Sequence, residues 1–476
     1  MRCRVSVERL LWTSASILVA FLVVPAATGE FLSRAGEGIE LSLEEALELG
    51  LERNRDLAGR RLDREARKLS TGVAGDRFRP VYSLDSSVEA NGETGFADAG
   101  VRVSLGVPTG GRLDLRWNRN VSGDPGRSSP ATLGFSQPLL KGAGTAVGTA
   151  SLRKARIEER IGLLEYRQAA ADLVSSIVVS WRGLIQAHSQ VEISEASLRR
   201  ARDQLEVTRA LIRAGRVAQR EITRSEASIA NRELALLRAR NGLESANLAL
   251  MNLLDLEDTA RIRPRNGLGG EPVPTPAGAA VGLEDRIGAA LRHRTEIRIA
   301  AMAVEIAGID LEVAENNRLP DLSFAVRLSR DEGTGRSERA ARLDMTIPLN
   351  DRSPELQLLQ ARNGLDNARR DLEELRESIR LSVRQAVNDV EVGLRLIDLA
   401  RKARALAAEN LAIEQIKFGQ GLSSTFEVAA SEDGLVAAQN DELDATIGWL
   451  NALTRLDGVT GLILESRGIA LEAVGE

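Results

Sequence analysis

The sequence predicts a mainly α protein with a smaller β part, assembled from two copies of one unit in which strands lead into a very long helix. Three observations predict it. Ala, Leu, Glu and Arg dominate while aromatic residues make up only 3% of the 476 residues, the composition of long helices packed side by side. Two stretches, roughly Thr149 to Ala214 and Pro354 to Phe418, carry apolar residues at seven-residue spacing. Slid against itself by 240 positions, the chain superimposes Leu43 on Leu283, Leu51 on Leu291, Val73 on Val313, Pro80 on Pro320 and Ser83 on Ser323 without a gap. The protein is therefore a tandem repeat.

At the N-terminus, Arg2, Arg4 and Arg9 precede the apolar run Leu10 to Val24, and the small residues Ala26, Ala27, Thr28 and Gly29 follow. Residues 1–29 read as a secretory signal peptide. A membrane anchor is the competing reading, but the run is shorter than the roughly 20 residues of a spanning helix. Beyond residue 30 no stretch is apolar and long enough to cross a bilayer as a helix, so any entry into a membrane is by strands. The 63 basic and 68 acidic residues, net −5, are interspersed, which leaves no basic face for a nucleic-acid partner. Cys3 is the single cysteine, and His188 and His293 the two histidines. Disulfides, zinc sites and Cys–His nucleophilic pairs are hard to build from these, so no catalytic residue, metal or cofactor is expected. His188 reads as an ordinary residue of a long helix and His293 as a solvated helix end.

The first repeat covers 30–254, a Pro/Gly-rich linker 255–282 with Pro264, Pro272, Pro274 and Pro276 follows, and the second repeat covers 283–476. Each repeat opens with a short helix near Leu43 or Leu283 and a second helix ending before Pro80 or Pro320. Strands follow over about 80–139 and 321–349. Apolar residues alternate with polar ones there: Val101, Val103 and Leu105, then Leu113, Leu115 and Trp117, and in the second repeat Phe324, Val326 and Leu328. One face is apolar and the other polar, a pattern that a lipid-facing barrel strand shares with any half-buried sheet. Both repeats leave the strands through a proline, Pro138 and Pro348. Pro80 to Pro138 spans 58 positions and Pro320 to Pro348 only 28, so the first repeat has room for an extra hairpin around Pro108-Thr109-Gly110-Gly111.

The long helices, about 149–214 and 354–418, would each extend on the order of 100 Å. The first carries Ala170, Ile177, Leu184, Val191, Leu198, Leu205 and Ile212 in one heptad row. The second carries Val383, Val390, Ile397, Leu411 and Phe418, interrupted by Arg404, beside a small-residue row of Ile379, Ala386, Gly393, Ala400 and Ala407. This is coiled-coil packing with a close-approach face. Gly215 and Gly421 end these helices, and returning helices of about 219–254 and 424–456 cover half their length. The short helices fill the rest, giving four columns per chain.

The chain resembles the TolC family of outer-membrane factors over essentially its whole mature length. The resemblance rests on Leu41-Ser42-Leu43-Glu44-Glu45-Ala46-Leu47 with Asn54 and Asp56, on Gln137-Pro138-Leu139-Leu140-Lys141-Gly142, on Arg318-Leu319-Pro320-Asp321-Leu322, and on Lys417-Phe418-Gly419-Gln420-Gly421-Leu422-Ser423-Ser424 leading into Glu427-Val428. Ala214-Gly215-Arg216 leading into Glu221-Ile222 is the first-repeat counterpart. The resemblance implies a homotrimer whose subunits share one outer-membrane β-barrel and one periplasmic helical barrel, familiar members supplying four strands each. It implies a passive exit duct for a tripartite efflux pump or type I secretion system, with a periplasmic adaptor and an inner-membrane pump as partners. Gly215, Arg216, Val217, Gly421, Leu422 and Ser423 become the adaptor-contacting tips, Pro138 and Pro348 the strand-to-helix junctions. Acidic residues past the tip line the family's entrance; Glu427 matches that position, Glu221 is its repeat counterpart, and the second acid is here Ala430.

Three copies of an acid around a narrow axis would favour cations, and Arg224 could pair with a neighbouring helix to hold a closed state. Glu221, Arg224 and Glu427 are alternatively solvated charges near helix starts. A periplasmic coiled-coil scaffold or adaptor without a pore is the competing architecture; it explains the signal peptide and heptads but not two strand regions at matching places in a duplication.

Overall fold

The computed structural model describes residues 39–91, 94–120, 130–256, 261–265, 267, 282–331 and 335–470. The expected signal peptide lies outside them, as does most of the linker. The duplication is visible in the element lengths. A short strand β1 (Ile39–Leu41) precedes α1 (Leu43–Arg53) and α2 (Arg55–Asp76), of 11 and 22 residues, and the second repeat opens with α6 (Leu283–His293) and α7 (Thr295–Asn316), again 11 and 22. Local chemistry sets the α1–α2 bend. Ser42 and Glu45 close a capping box at the start of α1. Asn54 Oδ1 accepts the Leu57 N–H at 3.1 Å to start α2, and Asn54 Nδ2 donates to the Leu253 carbonyl at 3.1 Å.

The first repeat continues through β2 (Val81–Asn91), β3 (Thr94–Gly106), β4 (Arg112–Asn120) and β5 (Pro130–Pro138), a turn α3 (Thr145–Gly148), then α4 (Ala150–Arg213), α5 (Arg220–Leu254) and β6 (Ile262–Pro264). The second continues through β7 (Asp321–Asp331), β8 (Ser337–Thr346), α8 (Ser353–Gly419), α9 (Thr425–Thr460) and α10 (Ile463–Ser466). With 64 and 67 residues, α4 and α8 are each about 100 Å long at 1.5 Å per residue.

Such rods need lateral partners along their whole length. Near the strands the packing order is α2, α4, α7, α8; toward the far end it is α5, α4, α9, α8. Four columns therefore run side by side throughout. The α4 row Ala170, Ile177 and Leu184 is completely buried against Leu47 of α1, Leu250 and Leu254 of α5 and Ile463 of α10, each large side chain contributing about 2–3 kcal/mol. On α8, Val383, Ile397, Leu411 and Phe418 are buried, and the interrupting Arg404 instead pairs with Glu442 of α9 at 3.0 Å.

The small-residue row lets α8 and α9 approach closely. A Cβ built on Gly393 would lie 3.2 Å from Trp449 Cβ and 3.3 Å from its Cα. Gly393→Leu is expected to force the hairpin apart and destabilise it by about 1–3 kcal/mol, read as a lower melting temperature; an unchanged value would show that the hairpin gives way freely.

Six strands form one antiparallel sheet in the order β2-β3-β4-β5-β7-β8, and β1 pairs in parallel with β6 beside the core shared by α1, α4, α5 and α10, midway along the rods and hence the equatorial core. The room in the first repeat is taken by β3 and β4, joined by the Val107–Gly111 turn at the helical end of the sheet. Tyr82, Val103, Leu115, Leu133 and Leu328 form one cross-strand row, and Leu105, Leu113, Phe135, Val326 and Ala341 another. The opposite face carries Ser104, Asp114 and Arg327 between these rows and Asp85, Arg102 and Arg116 beyond them, with Arg102 paired to Asp85 at 2.9 Å. No described helix is long and apolar enough to cross a membrane.

Candidate functional site: the helical tips and the strand-to-helix junctions

The end of the rods farthest from the sheet is built twice by the same turn. Gly215 (φ +74°) and Gly421 (φ +79°) adopt the left-handed conformation. The Arg216 N–H reaches the Leu211 carbonyl and the Leu422 N–H the Lys417 carbonyl, both at 2.9 Å, so each long helix closes in a Schellman motif that favours glycine. Gly215, Arg216, Gly421 and Leu422 are exposed, while Val217 and Leu211 pack against the buried cluster of Leu411, Phe418, Val428 and Leu435 on α8 and α9. The two tips thus form one blunt end.

They differ in how the returning helix starts. Ser424 caps α9 in a capping box with Glu427. The Glu427 carboxylate accepts the Ser424 N–H at 2.7 Å and the Ser423 hydroxyl at 2.9 Å, both at Oε2, and these bonds, the backbone one foremost, hold its carboxyl below the usual range. The equivalent of Ser424 in the first tip is Ala218, which cannot cap; α5 starts without a side-chain cap. Freed from that duty, Glu221 is buried at 6% exposure and accepts the Thr425 hydroxyl of the other tip. Arg224 Nη1 lies 3.1 Å from Glu221 Oε1 and Arg220 Nε 3.5 Å. Within the chain, Arg224 pairs one turn back on its own helix. One duplicated position therefore does two jobs: a helix cap in one copy, a tie between tips in the other.

The Thr425 hydroxyl, helped by the Arg224 and Arg220 charges, holds the Glu221 carboxyl below its ordinary value. A depressed carboxyl stabilises the fold above its unfolded value and loses that contribution as pH falls through the folded one. The tie is thus intact at neutral pH and loosens under acid. Spin labels on the two tips should show a distance that broadens on acidification in the native chain, and one already broad and independent of pH in Glu221→Gln; identical profiles would remove the tie.

Above the tips, Glu432 of α9 is 5% exposed and paired with Arg200 of α4 at 2.7 Å, and Arg232 of α5 lies 2.6 Å from Asp433. These pairs join first-repeat helices to second-repeat ones. Sequence inspection singled out none of these four residues, because charges on a helix give no sign of burial. It also passed over Phe426, 70% exposed beside Leu422 at 75%; an aromatic one position into a helix start, in a chain with few aromatics, was the available signal. The second tip thus presents two exposed apolar side chains, and Arg216 is exposed on the first. Among the described residues no His/Cys/Asp/Glu group could hold a metal ion.

At the opposite end, the first junction is clamped. The Leu139 N–H donates to the Leu322 carbonyl at 2.7 Å, the Lys141 N–H to the Pro320 carbonyl at 3.2 Å, and the Gly142 N–H to Asn316 Oδ1 at 2.6 Å. Gln137 Nε2 ties Pro138 to the β3–β4 turn through the Thr109 carbonyl at 3.0 Å. Pro348, its counterpart, sits between Ile347 at 52% and Leu349 at 90% exposure at the edge of the chain.

A family model described as outer membrane efflux protein matches residues 46–255 and 287–462. No curated protein matches. Among solved structures, a membrane protein from Pseudomonas aeruginosa superposes with a TM-score of 0.69 at 16% identity, over 88% of this chain and 93% of that one. The outer membrane protein VceC of Vibrio cholerae gives 0.68 at 16%, over 88% and 96%. The open state of the Neisseria gonorrhoeae MtrE outer membrane channel gives 0.65 at 16%, over 89% of each. At these identities the likeness is one of fold.

Proposed function

Because the chain belongs to the outer membrane efflux protein family, we propose that three copies close around one axis into a passive exit duct of a Gram-negative-type cell. A shared strand barrel crosses the outer membrane and a helical tunnel crosses the periplasm. The carrying observation is that both lateral edges of the chain are unsatisfied. Strands β2 and β8 are free sheet edges. Val392, Leu399, Leu406 and Ile413 of α8, seven residues apart and 44–66% exposed, form a second apolar seam turned away from α9. On the far edge, Ala227, Ala230, Leu234, Leu237 and Leu248 of α5 form another. A head-to-tail ring of identical chains lays one seam on the other.

The duplication itself supports this closure. Asn316, Pro320 and Leu322, which clamp the first junction, correspond by the 240-residue shift to Asp76, Pro80 and Tyr82. Those three stand at the opposite edge of the chain from Pro348, so only another copy can bring them to the second junction. In this reading the blunt end carrying Leu422, Phe426 and Arg216 meets a periplasmic adaptor, which connects the duct to the inner-membrane component of a tripartite efflux pump or type I secretion system.

The purified protein is expected to be a detergent-dependent trimer that opens conducting pores in planar bilayers. A monodisperse, detergent-free monomer would end this reading. Glu427, Glu221 and Arg224 are the gate candidates. Three exposed Glu427 side chains around the axis should favour cations, so Glu427→Ala should lower cation selectivity and weaken block by divalent cations; unchanged selectivity would leave Glu427 as a helix cap alone.

A further inference from the structure

We infer that the membrane barrel has eighteen strands, as wide as the helical tunnel below it, rather than the twelve that four strands per subunit would supply. This rests on the trimeric reading above. Strand β7 directly follows α7, as β2 follows α2, and β8 leads to α8 as β5 leads to α4. The inserted pair is therefore β3 and β4. An inserted pair has three possible places: the barrel wall, the lumen as a plug, or the periplasm as a flap.

The register decides for the wall. Each inserted strand is paired along most of its length on both sides, β3 with β2 and β4, β4 with β3 and β5. The apolar rows run without a break from β2 through the inserted strands to β7: Tyr82, Val103, Leu115, Leu133, Leu328 on one level, with Val101 beside Trp117 on the next. Val101, Leu115 and Trp117 are 38–45% exposed, on a face left open by the described residues. Lipid acyl chains are the occupant that suits such a face, and the polar face with Arg102, Asp114 and Arg116 is left for water. A plug or flap would turn the apolar rows to water.

The dimensions agree. With strands about 4.8 Å apart and tilted by about 40°, eighteen of them close at about 36 Å across and twelve at about 24 Å. Twelve helical columns, four from each of three chains, spaced about 9 to 10 Å, close at about 34 to 38 Å. An eighteen-stranded barrel therefore continues the helical wall without a taper. Cargo that fits the helical tunnel meets no narrowing of the wall at the membrane, which suits bulky solutes and polypeptides.

Electron cryomicroscopy of the full chain in lipid nanodiscs tests this by counting strands in transverse section. Eighteen are expected; a twelve-stranded ring would overturn the inference while leaving the duct intact, whereas absence of a trimer would remove the duct as well. On the same strand, Arg116→Cys should react with a membrane-impermeant maleimide and Leu115→Cys should resist it. Equal labelling of both, or the reverse order, would place the inserted pair outside the wall. If either variant fails to assemble, the strand count of the unaltered chain decides.

Discussion

A chain carrying Leu399→Asp and Leu406→Asp is expected to form its own helical hairpins yet run as a monomer in detergent. Both leucines lie on the α8 stripe turned away from α9, 62% and 66% exposed in the single chain. On closure each leucine would contribute about 2 kcal/mol. Each aspartate would instead bring a charge into an apolar seam at a penalty of several kcal/mol, repeated at all three interfaces. Native mass measurement reads the outcome directly. Leu394→Asp, on another face of the same helix and 49% exposed, should leave the trimer in place. A double variant that still trimerises would show that the ring closes through other surfaces.

Removal of Arg182 should be the most damaging single change within the chain. This guanidinium is 1% exposed in the equatorial core, donating to Thr454 Oγ1 at 2.8 Å and Asn451 Oδ1 at 3.1 Å. Arg182→Ala leaves a void, two polar partners unmet and the nearby Asp457 without one of its stabilising charges. Loss of one partner from a buried polar network of this kind costs about 3–5 kcal/mol, which should appear as a much lower melting temperature and as proteolysis near the equator. Burial already pushes the Asp457 carboxyl above its ordinary value, while the Ser466 hydroxyl and then the Arg467, Arg286 and Arg182 charges pull it back. A raised carboxyl weakens the fold above its folded value and ceases to do so once protonated, so the Arg182→Ala deficit should shrink on acidification. Asp457→Asn in the same background should recover part of the loss at neutral pH; no recovery would uncouple the two residues.

Arg182 shows where sequence reading stops. It sits two residues before Leu184, on the best-marked heptad row of the chain, yet periodicity describes only the face that is apolar. A cation buried beside that face leaves no trace in the pattern, because its partners Asn451 and Thr454 lie about 270 positions away. Glu221 and Glu427 make the same point. They hold equivalent places in the duplication, and the differences around them, Ala218 against Ser424 and Gln219 against Thr425, become informative only once the Schellman turns bring the tips together and Thr425 within reach of Glu221.

The mainly α character, the two-fold repeat, the rod lengths and the period-two strands were determined by the sequence alone. Each follows from local rules: residue spacing selects the helix face, alternation selects the sheet face, and glycine or proline ends an element. Tertiary structure alone decided that six strands pair into one sheet whose apolar rows run continuously from β2 to β7, which charges are buried between the repeats, and which seams remain open for another copy. These are relations between residues far apart in the chain. The free energy that sets them comes from apolar area and charges removed from water together, and no local window of sequence contains both partners.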